Sequence, residues 1–245
     1  LLGQNVNAYN YDGNKLSDLI SEISKIQELK RIRYTTSHPL DFSKDLILAH
    51  KNSNKLMPLI HLPVQSGSNK ILKNMNRNHS IEDYIFLIKE LKKTNPFIKF
   101  SSDFIIGYPG ETEKDFEETL KLLEKVSFIN SYSYIFSPRP GTPAAKLKKV
   151  DLALAKKRLF IFQKNAEEIK KKYRKSLFNK TSNILFENRL GNKNEYFGRD
   201  EYLNSVIVKS EKNLVGRIEK VKIFEGNYNT LFGKIENFDN KDFAA

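Results

Sequence analysis

The chain has 245 residues, of which 39% are hydrophobic and 29% charged, with a net charge of +13 and no Cys. No stretch approaches the roughly 18 uninterrupted apolar residues of a membrane span, and no leader or cleavage site is visible, so we expect a cytoplasmic protein of one or two domains. The lack of Cys excludes disulfides and thiolate ligation of zinc or of an iron–sulfur cluster by these residues.

Residues 1–145 alternate short apolar runs with amphipathic helical patterns. Apolar residues at helical spacing predict four helices, over 17–29, from Asp41, over 80–93 and from Thr112. Five strand–loop units separated by four helices are typical of a parallel β/α array. The five runs are LLGQNVNAY, RIRYTTSHP, LIHLPVQSGS, FIKFSSDFIIGYPGE and INSYSYIFSPRPGTPAA.

Polar or Gly residues follow each predicted strand at its C-terminal end. In β/α barrels this rim binds ligands, because its loops are free to vary while the strands are fixed. Five such loops predict a ligand site. They contain Gln4 and Asn5, Ser37 and His38, Gln65–Ser68, Asp103–Glu111, and Ser137–Thr142.

One long helix is predicted from Val150 to Lys180, in the most basic part of the chain. Residues 146–180 carry 13 basic and 3 acidic residues. A surface of this kind can contact nucleic-acid phosphates; the alternative is a solvated Lys-rich helix without a ligand. The candidates for RNA contact are Lys170, Lys171, Lys172, Arg174 and Lys175.

The pattern changes after residue 179. Short β-rich runs separated by Gly and Asn turns predict a small antiparallel barrel. We therefore predict two domains, 1–178 and 179–240. Five aromatic residues of the second domain are candidates for base stacking, with burial in the barrel core as the alternative: Phe197, Tyr202, Phe224, Tyr228 and Phe232.

Familiar catalytic patterns are weak in this sequence. The four His residues lack metal-ligand spacing, and a lone His after a strand is more often a hydrogen-bonding loop residue than a catalyst. No phosphate-binding loop of the Gly-x4-Gly-Lys type is present. The stretch from Gly107 to Glu111 permits a sharp turn and by itself indicates only that.

Together, in order and spacing, LLGQNVNAY, RIRYTTSHP, HLPVQSGS, SSDFIIGYPGET and YIFSPRPGTPAA resemble the radical S-adenosylmethionine methylthiotransferases that modify tRNA. The resemblance extends over almost the whole chain. It implies an α/β fold: a partial (β/α) barrel of the TIM type, here without its first strand, followed by a small all-β TRAM barrel that binds RNA. It also implies S-adenosylmethionine and, in the intact enzyme, two [4Fe-4S] clusters.

The resemblance gives the rim residues roles in cofactor binding. The amino-acid part of S-adenosylmethionine would lie near Gln4 and Asn5, its ribose near Gln65, Ser66 and Gly67, and its adenine near Asp103, Ile105 and Gly107. Ser37 and Arg139 complete the candidates, and the planar guanidinium of Arg139 suits a substrate phosphate or a cofactor carboxylate. No catalytic residue is expected within this chain.

The chain departs from the family in one respect. These enzymes bind one cluster through a Cys-x3-Cys-x2-Cys loop after the first barrel strand and a second through three Cys of an N-terminal domain, and this chain has neither. Radical generation needs an electron from the cluster. We therefore expect Leu1 to lie at the second strand of the barrel, and the chain to be part of a longer enzyme and inactive alone.

The expected reaction is addition of a methylthio group to C2 of N6-dimethylallyladenosine next to the anticodon. The expected partner is the tRNA anticodon stem-loop, and the intact enzyme is expected to be a monomer. The sequence does not identify the sulfur donor. Stretches GQNVNAY and TTSHPLDF favour this reaction over two alternatives, methylthiolation of threonylcarbamoyladenosine tRNA or of a ribosomal protein. A non-catalytic RNA-binding module is an alternative of another class.

Overall fold

The computed structural model describes residues 1–35, 37–191 and 194–236. The chain divides into two compact units, Leu1–Lys170 and Lys171–Ala245. Within the described ranges, every helix is too short or too polar to span a bilayer. The domain limits 1–178 and 179–240 stay a prediction. Within these predicted segments, Thr36 and residues 192–193 and 237–240 lie outside the described residues.

The first unit contains a parallel sheet and the helices that cover it. The sheet has the strand order β3 (Leu59–His61), β4 (Lys99–Ile106), β5 (Asn130–Ile135). A separate hairpin is formed by β1 (Asn10–Tyr11) and β2 (Asn14–Lys15). The helices are α1 (Leu16–Ser24), α2 (Lys44–Asn52), α3 (Asn69–Asn74), α4 (Ile81–Thr94), α5 (Glu113–Val126) and α6 (Leu152–Lys175), whose last residues, 171–175, belong to the second unit.

The first two predicted strands are wrong, whereas the other three are confirmed. The run LLGQNVNAY contains a 3-10 helix, Val6–Ala8, and the run RIRYTTSHP forms a single bridge, from Ile32 to Leu56. The side chain of Asn7 donates to the backbone oxygen of His38 (2.8 Å) and accepts from its backbone N–H (2.7 Å). Side-chain amides that bond to backbone in this way compete with a regular strand ladder.

All four helices predicted in residues 1–145 are confirmed, and α3 was not predicted. Ser80 with Asp83 and Thr112 with Asp115 form the reciprocal capping boxes that begin α4 and α5. Helix α3 has only six residues, so it lacks a helical repeat of apolar residues. Its start is marked by Ser68, whose hydroxyl accepts from the Ile71 N–H.

The two faces of the sheet differ in character. Alternate residues of β4, namely Phe100, Phe104 and Ile106, are buried against the helices. The intervening residues Ser101 and Asp103 therefore face the opposite side. That polar face is what positions the site described below. The apolar core includes Leu87, Leu91, Phe116, Leu123 and Phe162.

The second unit contains a closed five-stranded barrel with the order β10-β8-β7-β6-β9. Its strands are β6 (Thr181–Leu190), β7 (Glu195–Arg199), β8 (Ser205–Lys209), β9 (Ile218–Gly226) and β10 (Thr230–Ile235). The predicted small barrel is confirmed. The barrel differs from the antiparallel prediction at its closure, where β8 and β10 pair in parallel.

Candidate functional site

A cavity of about 880 Å³ lies at the C-terminal ends of β4 and β5. Four of the ten predicted cofactor-binding residues line it, from three separate segments: Gln65, Asp103, Ile105 and Arg139. Three residues of the predicted rim loops also line it: Tyr108, Ser137 and Thr142. The sequence did not indicate the further lining residues Lys73, Arg77, Tyr134 and Phe136. The strand-end rule thus located the cavity but not the rings of Tyr134 and Phe136, because the sequence does not show which side chains at the end of β5 face the cavity.

Gln65 enters the cavity from an unusual backbone conformation. Its φ is +74°, in the left-handed region that non-Gly residues avoid. Its backbone is held at one edge of β4 by two hydrogen bonds, since its N–H donates to the Asp103 oxygen (3.0 Å) and its oxygen accepts from the Ile105 N–H (2.9 Å). Such a conformation costs about 1–3 kcal/mol and persists where the surroundings fix it. Strained backbone of this kind clusters at binding sites.

Asp103 brings a half-buried carboxylate to the cavity. Its Oδ2 lies 3.3 Å from Nε2 of His61, and Nδ1 of His61 lies 3.0 Å from the Ser101 hydroxyl. The ring of Tyr132 contacts the imidazole edge-on, with 6.0 Å between ring centroids. His61 was interpreted from sequence only as a lone His, because pairing of β3 with β4 is not visible in the sequence.

Ser66 and Gly67 are occupied in joining their loop to α5. A Cβ at Gly67 would lie 2.5 Å from the Glu118 oxygen, and the Gly67 N–H donates to the Thr119 hydroxyl (2.9 Å). The buried Ser66 hydroxyl accepts from the Ser68 N–H at 3.2 Å. Their visible role is packing, and they are absent from the cavity lining described above.

Gly107 belongs to a buried anchor between the turn after β4 and α6. Its N–H points at both carboxylate oxygens of Glu111, each at 3.1 Å. Glu111 and Arg158 form a buried ion pair of 2.9 Å. Burial raises the pKa of the Glu111 carboxyl, opposed by the Gly107 N–H and the Arg158 charge. Arg158 also bonds Glu113, at 2.8 Å.

The predicted residues near the start of the chain do not line the cavity. Gln4 is exposed, and the Asn5 amide donates to Asp41 at 2.6 Å. Ser37 is buried, and its hydroxyl has no hydrogen-bond partner among the residues that the structure describes. Nearby, His38 contacts the buried His79 edge-on at 5.8 Å, and burial, with the charges of His38 and Arg77, lowers the pKa of His79 to about 4.

The basic residues predicted to contact RNA differ in exposure. Lys171, Lys172 and Lys175 are exposed and Lys170 is half-buried. Arg174 is only 8% exposed, and its guanidinium donates to the backbone oxygen of Asn229. Burial lowers the pKa of Arg174. Three of the five candidates therefore lie on the exposed surface.

The barrel carries a second concave surface. A groove of about 500 Å³ is lined by Phe224 and Phe232, with Lys209 and Lys234 beside them. Phe224 is exposed and Phe232 half-buried. Among the remaining aromatic candidates, Tyr228 is exposed, whereas Phe197 and Tyr202 are half-buried.

The side chains of this chain suit S-adenosylmethionine but not an iron–sulfur cluster. The cavity offers a carboxylate, an amide, guanidinium groups and aromatic rings, which suit a nucleoside carrying charged groups. Thiolate ligands for an iron–sulfur cluster are lacking, since the chain has no Cys. Across the described ranges, no three His, Asp or Glu side chains are grouped closely enough to hold a metal ion.

Comparison with known proteins gives consistent matches. Residues 1–123 match the radical SAM superfamily. The chain is 54% identical, over its whole length, to tRNA-2-methylthio-N(6)-dimethylallyladenosine synthase of Pelagibacter ubique (strain HTCC1062), of which it covers 56%. It is 48% identical, over 95% of its length, to the synthase of the same name from Wolbachia pipientis wMel, of which it covers 55%.

Among solved structures, a radical SAM enzyme from Escherichia coli, coproporphyrinogen III oxidase, aligns with a TM-score of 0.49 and 14% identity, over 76% of this chain and 51% of that one. The chain spans about half the length of the curated relatives it matches.

Proposed function

The chain belongs to the radical SAM superfamily, whose sequence pattern matches residues 1–123, and on that premise we propose that it forms the S-adenosylmethionine- and tRNA-binding part of a tRNA methylthiotransferase. The observation that carries the proposal is the meeting of Gln65, Asp103, Ile105 and Arg139 at one cavity. The identity of 54% and 48% to two synthases of that name supports it further.

Membership of the family implies S-adenosylmethionine and a [4Fe-4S] cluster; a second cluster belongs to the proposal. When bound, cluster and S-adenosylmethionine together supply a radical able to remove a hydrogen atom from an unreactive carbon. The cluster ligands are not among the residues of this chain, which has no Cys. What this chain contributes is binding, orientation and the exclusion of water.

The cavity residues have distinct roles in the proposed complex. The Gln65 amide and the Asp103 carboxylate accept hydrogen bonds from hydroxyl and amine groups of the nucleoside. Ile105, beside the rings of Tyr134 and Phe136, provides an apolar surface for the adenine. Arg139 binds the cofactor carboxylate or a substrate phosphate with its planar set of donors.

For the substrate, we propose C2 of N6-dimethylallyladenosine beside the anticodon. The exposed Lys171, Lys172 and Lys175 would contact phosphates of the anticodon stem-loop, and Phe224 and Phe232 would stack on bases. Action as a monomer in the cytoplasm is part of the same proposal. The sulfur donor stays unassigned.

The test is to express the intact protein from its native gene in cells that lack the methylthiotransferase and to analyse their tRNA nucleosides by mass spectrometry. We expect methylthio-dimethylallyladenosine to appear. A methylthio group on threonylcarbamoyladenosine instead would move the protein to the alternative tRNA substrate, and a modified ribosomal protein to the third. Unmodified tRNA, with binding to an anticodon stem-loop retained, would favour a non-catalytic RNA-binding module.

A further inference from the structure

We propose that His61 is a positioning residue that fixes the carboxylate of Asp103 for contact with the nucleoside part of S-adenosylmethionine. The inference rests on the proposed function, because it concerns the same cavity. It adds a residue that does not line the cavity itself, so His61 acts only through Asp103.

The register of the sheet places His61 below the cavity. His61 on β3 pairs with Ser101 on β4, two residues before Asp103 and on the same face. The cavity begins further along the strands, at Asp103, Ile105 and Gln65. His61 is therefore on the N-terminal side of the carboxylate that it contacts.

The hydrogen bonds define one arrangement of protons. An ionised Asp103 can only accept, so Nε2–H of His61 donates to its Oδ2 at 3.3 Å. In the neutral imidazole Nδ1 then accepts, and the Ser101 hydroxyl is the donor, at 3.0 Å. Ser101 is 3% exposed, which keeps water from competing for Nδ1. The chain Ser101, His61, Asp103 thus sets both the tautomer and the orientation of the imidazole.

The carboxylate needs such a partner to hold its orientation. The Asp103 side chain is 33% exposed and turns about a soft terminal torsion. Its Oδ1 makes no hydrogen bond within the described part of the chain, so that atom is available to a ligand. The His61 side chain is 14% exposed and lies against the ring of Tyr132, which limits its rotation. A fixed imidazole therefore leaves Oδ1 directed to one place.

The experiment measures binding of S-adenosylhomocysteine to the intact protein by isothermal titration calorimetry. We expect Asp103→Asn to raise Kd about tenfold, which is the usual loss for one hydrogen bond to a charged group. His61→Leu should raise Kd by a similar factor. His61→Gln should stay within about twofold of the wild type, because its amide nitrogen replaces Nε2 as donor.

The double variant His61→Leu/Asp103→Asn separates positioning from a general structural effect. We expect it to bind as weakly as Asp103→Asn alone, because His61 has no route to the ligand other than Asp103. Multiplied losses in the double variant would overturn the proposal. So would unchanged binding by His61→Leu or by Asp103→Asn. Asp45→Asn, an exposed carboxylate on α2, is the matched control and should bind like the wild type.

Two failures are distinguishable. If the wild-type protein does not bind S-adenosylhomocysteine, the proposed function fails at this cavity. If the wild type binds and Asp103→Asn weakens binding but His61→Leu does not, only the positioning role is overturned. Thermal melting of each variant identifies loss of folding, and recovery by His61→Gln confirms that the donor, rather than the bulk of the ring, is needed.

Discussion

Gln65 combines a binding role with a strained backbone, so one substitution can separate the two. In Gln65→Gly the φ of +74° becomes unstrained, and we expect the free energy of unfolding to hold or to rise by about 1 kcal/mol. Affinity for S-adenosylhomocysteine should fall, because the amide is gone. Denaturant melts and calorimetry measure the two quantities. A variant that unfolds more easily yet binds as well as wild type would contradict this.

Breaking the buried ion pair of Glu111 and Arg158 by removing one partner should destabilise the fold strongly. Arg158→Met leaves the Glu111 carboxylate buried without its cation, and we expect a loss of about 3–5 kcal/mol in the free energy of unfolding. Glu113→Gln is the control, because that partner is 64% exposed and its loss should cost under about 1 kcal/mol. Equal effects of the two substitutions in urea unfolding would refute the distinction.

At the residue scale, the sequence predicted the rim but did not distinguish the rim residues that line the cavity from those that pack loops against helices. Gln65, Asp103, Ile105 and Arg139 line the cavity, whereas Ser66, Gly67 and Gly107 hold loops to helices. Polar and Gly residues serve ligand binding and close packing alike, so composition does not tell these roles apart. The contact of His61 with Asp103 and Ser101 was not predicted, because these partners come from another strand.

At the scale of elements, the start of α5 depends on Asp115. Burial raises the pKa of this carboxyl, but hydrogen bonds from Thr112, Ser68 and Lys70 outweigh it, so the net pKa lies below its ordinary value of 3.8. A lowered pKa means that the stabilising contribution is present above pH 3.8 and is lost as the pH falls below it.

Asp115→Asn should therefore lower stability at pH 7, by about 1–2 kcal/mol for a weakened cap. The difference from wild type should shrink as the pH falls below about 4, because the carboxyl of the unfolded chain becomes protonated there while that of the folded chain is still ionised. Urea unfolding at a series of pH values measures it. Glu117→Gln, on an exposed position of the same helix, should show neither effect. A difference that grows with acid would disprove the assignment.

Elements with a clear repeat were predicted well, and elements defined by side-chain contacts were not. Helices α4 and α5 carry both a capping box and an apolar stripe. The barrel strands are short β-rich runs separated by Gly and Asn turns. The loop around Asn7 instead bonds through its amide to His38. That competition depends on a residue 31 positions away, which no local pattern contains.

At the scale of the whole molecule, all four His residues lie in the first 80 positions. Burial lowers the pKa of His50 to about 4, and burial with nearby positive charge lowers that of His79 to about 4. A lowered His pKa favours the neutral form in the folded state, so its contribution is complete above pH 6.5 and is lost as the pH falls towards 4.

Mild acid should therefore destabilise the first unit selectively. Each of these two imidazoles changes the free energy of unfolding by at most about 1.4 kcal/mol per pH unit in that interval. Hydrogen exchange at pH 7 and pH 5, corrected for the intrinsic rates, should show lost protection in α2 and α4 and little change in the barrel strands, since residues 171–245 contain no His. Equal loss in both units would contradict this.

The closure of the barrel has a consequence for how the protein is made on the ribosome. Strand β10 pairs with both β8 and β9, so neither of those strands has its second neighbour until residues 230–235 have been synthesised. Until then a nascent chain would present two unpaired strand edges. Translation thus imposes an interval of exposure to chaperones and aggregation, and a premature stop codon before Thr230 would make that interval permanent.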